Sequence, residues 1–167
     1  VTFSRPMEST LEKYISELLD HKPVQYVLKE AWFAGLKFIV NENVLIPRPE
    51  TEELAGWIIS TARSLPGTSI SILDIGTGSG CLAVAIKKKL PGAAVFACDI
   101  STAALEVAKQ NADLHSAEVV FIEADILDRK QWNDFPYFDF IISNPPYIPI
   151  SQKQQMNENV VLHEPHP

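Results

Sequence analysis

Cysteine is nearly absent from this chain. Two of its 167 residues, Cys81 and Cys98, are too few for a disulfide framework and read as reduced core residues. Four scattered histidines offer no metal-ligand spacing, so no metal is expected. No apolar run is long or uncharged enough to span a bilayer, which argues against a membrane protein. Glu8, Glu12 and Lys13 interrupt any apolar region near the start, so no secretory signal is expected and the expected location is cytoplasmic. Basic residues are in deficit too. Lys and Arg number 14 against 21 Asp and Glu, a formal net charge of −7, the wrong sign for a protein that neutralises phosphates. The one local basic run, Lys87-Lys88-Lys89, closes a predicted helix, where it complements the helix dipole. A local patch on an acidic enzyme could still hold RNA, but the balance favours a protein substrate over a nucleic acid.

What is present is the pattern of one α/β domain. The length suits about one domain, and 46% hydrophobic residues can build a core. Ser9-Thr10-Leu11-Glu12 has the capping-box pattern and is expected to open an amphipathic helix with Leu11, Ile15, Leu18 and Leu19 on one face. Between Glu30 and Ile46, apolar runs broken at Gly35 and at Asn41-Glu42-Asn43 suggest a β-hairpin. A helix from about Glu50 to Leu65 follows, with Leu54, Trp57, Ile58, Thr61 and Leu65 at helical spacing, ended by Pro66-Gly67. Then come strand 70–74, helix 81–90, strand 94–99, a helix after Ser101 carrying Leu105, Ala108 and Ala112 inward, strand 119–123 and strand 138–143. Asp128 to Tyr137 reads as a polar loop. Alternating β and α predicts a parallel sheet with right-handed crossovers.

Three motifs stand at predicted strand ends, where open α/β sheets bind their ligands. Asp74-Ile75-Gly76-Thr77-Gly78-Ser79-Gly80 joins a strand to a helix, the first half of a nucleotide-binding βαβ unit. Its Gly-x-Gly-x-Gly spacing departs from the dinucleotide pattern, so a pyrophosphate is not the obvious guest. Asp99 ends the next strand, roughly 20 residues on, where an acid can accept hydrogen bonds from both hydroxyls of a ribose. It could instead serve only as a helix-capping acid. Asn144-Pro145-Pro146-Tyr147 follows the apolar run Phe138 to Ser143. Its prolines stiffen the loop, with a primary amide at one end and an aromatic ring at the other. Such a loop suits a planar group bearing an NH2, an amide or an exocyclic base amine. Alone, Pro-Pro would only terminate a strand, and the order of all three motifs is what points to function.

With these motifs the sequence resembles the release-factor glutamine N5-methyltransferases, S-adenosyl-L-methionine-dependent enzymes of the class I (Rossmann-like) methyltransferase fold. Asn-Pro-Pro-Tyr is shared with methyltransferases acting on base amino groups. The more discriminating likeness lies in Val44-Leu45-Ile46-Pro47-Arg48-Pro49-Glu50-Thr51-Glu52, preceded by Pro23 to Val27 and Trp32 to Phe38. The resemblance implies that Gly76, Thr77, Gly78, Ser79 and Gly80 line the methionine portion of the cofactor and Asp99 its ribose. Asp125 and Ile126 would flank the adenine, and Thr51, with Arg48, would close over the amino-acid end. Arg48 and Glu50 could equally form a structural ion pair. The Asn144 oxygen and the Pro145 carbonyl would accept the two hydrogens of the substrate amide, with Pro146 beside them and Tyr147 packing against the flat group. No catalytic His or Glu is required.

The resemblance further implies that residues 1–29 are the end of a helical substrate-binding domain and its linker. Residues 30–167 would be a catalytic domain incomplete at its C-terminal side. The strands would lie in the order 3-2-1-4, with strand 138–143 at an edge and Phe138, Phe140, Ile141 and Ile142 partly exposed. A fragment of this kind is expected to bind cofactor weakly, to lack transferase activity and to have a mobile tail after about Ile150. The expected function of the whole is methylation of the glutamine in the Gly-Gly-Gln motif of peptide chain release factors. A nucleic-acid amino-methyltransferase and a non-catalytic cofactor-binding module are the alternatives.

Overall fold

The computed structural model describes residues 5–66, 69–145 and 163–165. Helix α1 (Arg5–Leu19) and the short α2 (Val24–Leu28) lead into a hairpin of β1 (Glu30–Phe33) and β2 (Leu36–Ile39). Helix α3 (Pro49–Ser64) follows, then β3 (Ser71–Ile75), α4 (Cys81–Lys89), β4 (Ala94–Asp99), α5 (Thr102–Leu114), β5 (Val119–Glu123), a 3-10 turn over Arg129–Asp134 and β6 (Phe140–Ser143). The larger sheet is parallel throughout, in the order β5-β4-β3-β6. This is the 3-2-1-4 arrangement expected, and among the described residues β6 is an edge.

Local chemistry explains most of the boundaries. Pro49 starts α3 behind an extended Arg48, with Glu50 and Glu52 in the first turn and Arg63 in the last, each complementing the dipole. Ser101 caps α5, its hydroxyl accepting from the Ala104 N–H at 3.2 Å. The lysine run does close α4, and two of its amines are engaged by carbonyls: Lys87 donates to Ala93 and Lys88 to His115. Ala34-Gly35 joins the hairpin strands with φ of 50° and 75°, the two left-handed central residues of a type I′ turn.

The core has three parts. Phe33 and Phe38 of the hairpin pack with all six buried residues of α4, Cys81 to Ile86, and with Ile72, Val95 and Ile142 of the sheet. Tyr26, Ala31, Val40, Val44 and Ile46 meet Ala104 and Val107 of α5, so the hairpin is wedged against the α5 side. Leu73, Cys98 and Ala124 form a smaller cluster with Phe96, Phe135 and Phe138. Both cysteines are buried and free, and burial pushes their thiols up, Cys81 to about 12 and Cys98 to about 11. They are inert packing residues.

Some expectations are corrected. Helix α1 starts at Arg5, so Ser9 to Glu12 lies inside it and does not cap it, and its apolar residues Leu11, Ile15, Leu18 and Leu19 are exposed. The inward face of α3 is Thr51, Ala55 and Ala62, with Leu54, Ile58 and Ile59 packed beside it, whereas Trp57 is 72% exposed and Leu65 is exposed too. Of the four apolar residues expected to be partly exposed at the sheet edge, Phe138 and Phe140 are partly exposed and Ile141 is exposed, whereas Ile142 is buried. Residues 146–162 lie outside the described residues, but Glu164, within the stretch expected to be mobile, is buried.

Left-handed backbone at a non-glycine residue costs about 1–2 kcal/mol. Ala34→Gly should therefore raise stability by about 0.5–1 kcal/mol, after glycine's greater unfolded entropy is subtracted. Urea denaturation would read this, and an unchanged or lowered midpoint would show that the turn carries no such strain.

Candidate active site

Register gathers the motifs. Ile75 pairs with Cys98 of β4 and with Ser143 of β6, and Asp99 pairs with Glu123 of β5. The glycine loop after Ile75, Asp99 itself, Asp125 just past Glu123, and Asn144 just past Ser143 therefore open from one end of the sheet. Ser143 adds a side-chain tie, its hydroxyl donating to the Ile75 carbonyl at 2.8 Å.

The glycine loop is held from beneath. The Gly76 and Thr77 N–H groups both donate to the Cys98 carbonyl, at 2.8 and 3.0 Å. The Thr77 hydroxyl donates to Asp74 Oδ2 at 2.7 Å. Asp74 also accepts from the Ala83 N–H in the first turn of α4. That bond replaces the one a capping side chain would make, because the N-cap position is Gly80, which has none. Gly80 has a packing reason of its own: φ is 77°, and a Cβ would stand 3.0 Å from the Ala108 Cβ. Gly76 and Gly78 are different. Both have positive φ, yet a Cβ on either would meet nothing within 4 Å, so the loop surface there is open to a ligand. Thr77 and Ser79 are buried, and Ser79 bonds Cys81, so these two can offer a ligand only their backbone.

Asp99 faces the same loop. Its Oδ2 accepts from the Gly78 N–H at 2.9 Å and its Oδ1 from the Ser101 N–H at 3.0 Å. The capping of α5 belongs to Ser101, so Asp99 bridges the glycine loop and the helix entrance. Each carboxylate oxygen retains a lone pair for a further donor. Asp125 and Ile126 are organised by the 3-10 turn. Gln131 accepts from the Asp125 N–H, Asp125 Oδ1 accepts from the Leu127 N–H, and the Trp132 indole donates to the Ile126 carbonyl.

Asn144 is half-buried, and its Nδ2 donates to the Thr51 hydroxyl at 2.9 Å. Thr51 and Asn144, 93 residues apart in sequence, are thus brought together, while Pro145 is exposed. Pro146 and Tyr147 lie outside the described residues. Arg48 does not pair with Glu50, which sits exposed in the dipole-favoured first turn. Its Nη2 lies 2.6 Å from both carboxylate oxygens of Glu164, whose side chain is 3% exposed. Among the described residues no cluster of three His, Cys, Asp or Glu could hold a metal, and no helix is long and apolar enough to cross a membrane.

Sequence reasoning overlooked Asp74, Asn111 and Glu164. Asp74 was visible as the acid opening the loop motif. Asn111 is fully buried in α5, accepting from the Ile39 N–H at 2.7 Å and donating to the Ile39 and Ser79 carbonyls at 2.9 Å. An asparagine among the apolar inward positions of a helix was the available signal. Burial pushes the Asp74 carboxyl up to about 6, against the pull of Thr77 and Ala83 and helped by the nearby charge of Asp99. Its ordinary value is 3.8, so the folded state binds this proton more tightly than the unfolded chain does. The stability it contributes is full below that value and is lost as pH rises through about 6. Asp74→Asn has no such dependence. The stability of the wild type relative to this variant should fall between about pH 4 and about pH 7 in urea titrations, and a constant difference would show that the carboxyl is unshifted.

The chain matches the Methyltransferase small domain family over residues 59–164. It is 48% identical over 156 residues to a release factor glutamine methyltransferase of Flavobacterium psychrophilum, covering 93% of this chain and 54% of that protein. A relative of the same name from Chlorobaculum tepidum is 46% identical over 155 residues, 89% of this chain and 53% of its own length. The chain spans about half the length of the curated relatives it matches. Among solved structures, a SAM-dependent methyltransferase from Agrobacterium tumefaciens superposes with a TM-score of 0.56 at 20% identity, over 70% of this chain and 39% of that one, a likeness of fold alone.

Proposed function

Because the chain belongs to the Methyltransferase small domain family, we propose that it carries the S-adenosyl-L-methionine site and the acceptor site of a protein glutamine N5-methyltransferase. The acceptor is the side-chain amide of the glutamine in the Gly-Gly-Gln motif of peptide chain release factors, which places the reaction in the cytoplasm. The observation that carries this reading is the register that sets Asn144 beside the open glycine loop. The names of the relatives support the choice of acceptor, as do the net charge of −7 and the engagement of Lys87 and Lys88 by carbonyls. Residues 1–29 are the end of the substrate-binding domain in this reading, and residues 30–167 belong to the catalytic domain.

The residues fit the cofactor. The open surface at Gly76 and Gly78 accepts a chain that a Cβ would obstruct, and the spare lone pairs of Asp99 suit the two ribose hydroxyls. Asp125 and Ile126 flank the adenine. When bound, the sulfonium supplies an electrophilic methyl whose leaving group needs no protonation. The residues of the chain then have one task. An amide nitrogen is a poor nucleophile because its lone pair is delocalised into the carbonyl. Asn144 Oδ1 and the Pro145 carbonyl accept hydrogen bonds from its two N–H groups, hold the nitrogen in line and disperse the positive charge that develops on it as the S–CH3 bond breaks and the N–CH3 bond forms; one N–H proton of the cationic product is then lost to water. Pro146 and Tyr147 lie outside the described residues and are assigned to the acceptor site only by the Asn-Pro-Pro-Tyr motif.

Asp99→Ala should weaken S-adenosyl-L-methionine binding by about 1.5–3 kcal/mol, the range for hydrogen bonds to a charged group. Calorimetry giving unchanged affinity, with the fold retained, would remove Asp99 from the ribose. In the full-length protein, Asn144→Ala should lower turnover far more than cofactor affinity, while Asn144→Asp, still an acceptor, keeps part of the activity. These rates are to be measured with labelled cofactor on release factor, tRNA, rRNA and DNA in parallel. Transfer to a nucleic acid and not to the release factor would overturn the assignment of acceptor.

A further inference from the structure

An asparagine amide is nearly symmetric in shape. Rotating it by half a turn exchanges an acceptor oxygen for a donor NH2 in the same volume. A site that must accept hydrogens from a substrate amide works in only one of the two orientations. A threonine hydroxyl can meet either end of such an amide, so what its contact fixes is the plane and place of the group.

The grip in this structure comes from Thr51. The Thr51 hydroxyl accepts from Asn144 Nδ2 at 2.9 Å, and among the described residues no second partner is recorded for this amide. Thr51 is 7% exposed and belongs to the inward face of α3, so its hydroxyl is a fixed point and not a mobile surface group. The turn that carries it is anchored as well. Arg48, three residues earlier, holds the buried Glu164 carboxylate, and the Thr51 N–H donates to the Arg48 carbonyl at 3.1 Å. Breaking this pair would leave the buried Glu164 charge uncompensated, which is costly.

We infer that Thr51 is a positioning residue for the acceptor site: by bonding one end of the Asn144 side chain it fixes the plane and place of the amide that the substrate meets. This deepens the function proposed above and rests on it for the identity of the acceptor. It assigns Thr51 a different role from the one expected from the sequence, closure over the amino-acid end of the cofactor.

Thr51→Val removes the hydroxyl at almost constant volume, and Thr51→Ser keeps it. In the full-length protein, Thr51→Val should lower kcat on a release factor by about tenfold or more, the scale of a lost orienting contact. Its dissociation constant for S-adenosyl-L-methionine should change by less than about twofold, since positioning of the acceptor is not cofactor binding. Thr51→Ser should recover most of kcat. The free protein gives a second readout: the side-chain NH2 resonances of Asn144 in a 15N-correlated spectrum should shift in Thr51→Val and stay near their wild-type positions in Thr51→Ser. Three results would overturn the inference: unmoved Asn144 resonances in Thr51→Val, a loss confined to cofactor affinity, or a serine variant no better than valine. If the wild type fails to methylate a release factor while the Thr51-dependent shift is present, the proposed acceptor is wrong and the orienting contact stands.

Discussion

The structure depends on one buried amide. Asn111, fully enclosed in α5, meets the backbone of Ile39 with both ends of its side chain and reaches the Ser79 carbonyl as well. It treats the end of β2 as a neighbouring strand would, supplying an acceptor and a donor to one residue. Three pieces that are remote in sequence, the hairpin, the glycine loop and α5, are locked to one point. Each such bond is worth only about 0.5–1.5 kcal/mol net, but leaving a buried backbone group without its partner costs about 1–3 kcal/mol. Losing the amide would orphan three groups at once. Asn111 therefore supports both the stability of the fold and the specificity of its assembly.

From that anchor the loop geometry follows. With Ser79 held by α5 and Gly80 pressed against Ala108, the C-terminal side of the loop cannot move without unpacking the helix pair. Asp74 restrains the same loop from inside the sheet through Thr77 and caps α4 in place of the missing side chain at Gly80. Asp99 restrains it from the neighbouring strand through the Gly78 N–H. Two carboxylates therefore hold one short loop, one buried and with its proton affinity raised, the other half-exposed with lone pairs to spare. The difference in burial separates their tasks: Asp74 is part of the scaffold, and Asp99 can face a ligand.

The other half of the site is built by α3. Its first turn carries Arg48 and Thr51, and these two side chains hold residues on either side of a long stretch of chain, Glu164 and Asn144. The segment Pro47 to Glu52 carried much of the resemblance to glutamine methyltransferases, and the contacts give that segment a physical task. Proline at N1 starts the helix, the acids favour its dipole, and arginine and threonine reach out of the same turn to Glu164 and Asn144.

Much of this was legible in the sequence. Alternation of apolar strands with helices determined a parallel sheet, the glycine spacing marked the loop, and the acid and the Asn-Pro-Pro-Tyr segment marked two more strand ends. These signals are local, and local chemistry is what a sequence displays. The start of α1 and the face of α3 were misjudged for a related reason: Ser9 to Glu12 has a capping pattern that a longer helix overrides, and Trp57 is apolar without being inward. What only the tertiary structure decided were the meetings of distant side chains. Asn111 with Ile39, Arg48 with Glu164 and not Glu50, and Thr51 with Asn144 join residues 72, 116 and 93 positions apart. No periodicity reports such pairs, because each is a matter of where packed elements bring two polar groups once the backbone is in register. The sequence by itself determined which residues stand at the ends of the strands; the fold decided which of them hold one another, since a buried polar group must find its partner wherever packing places it.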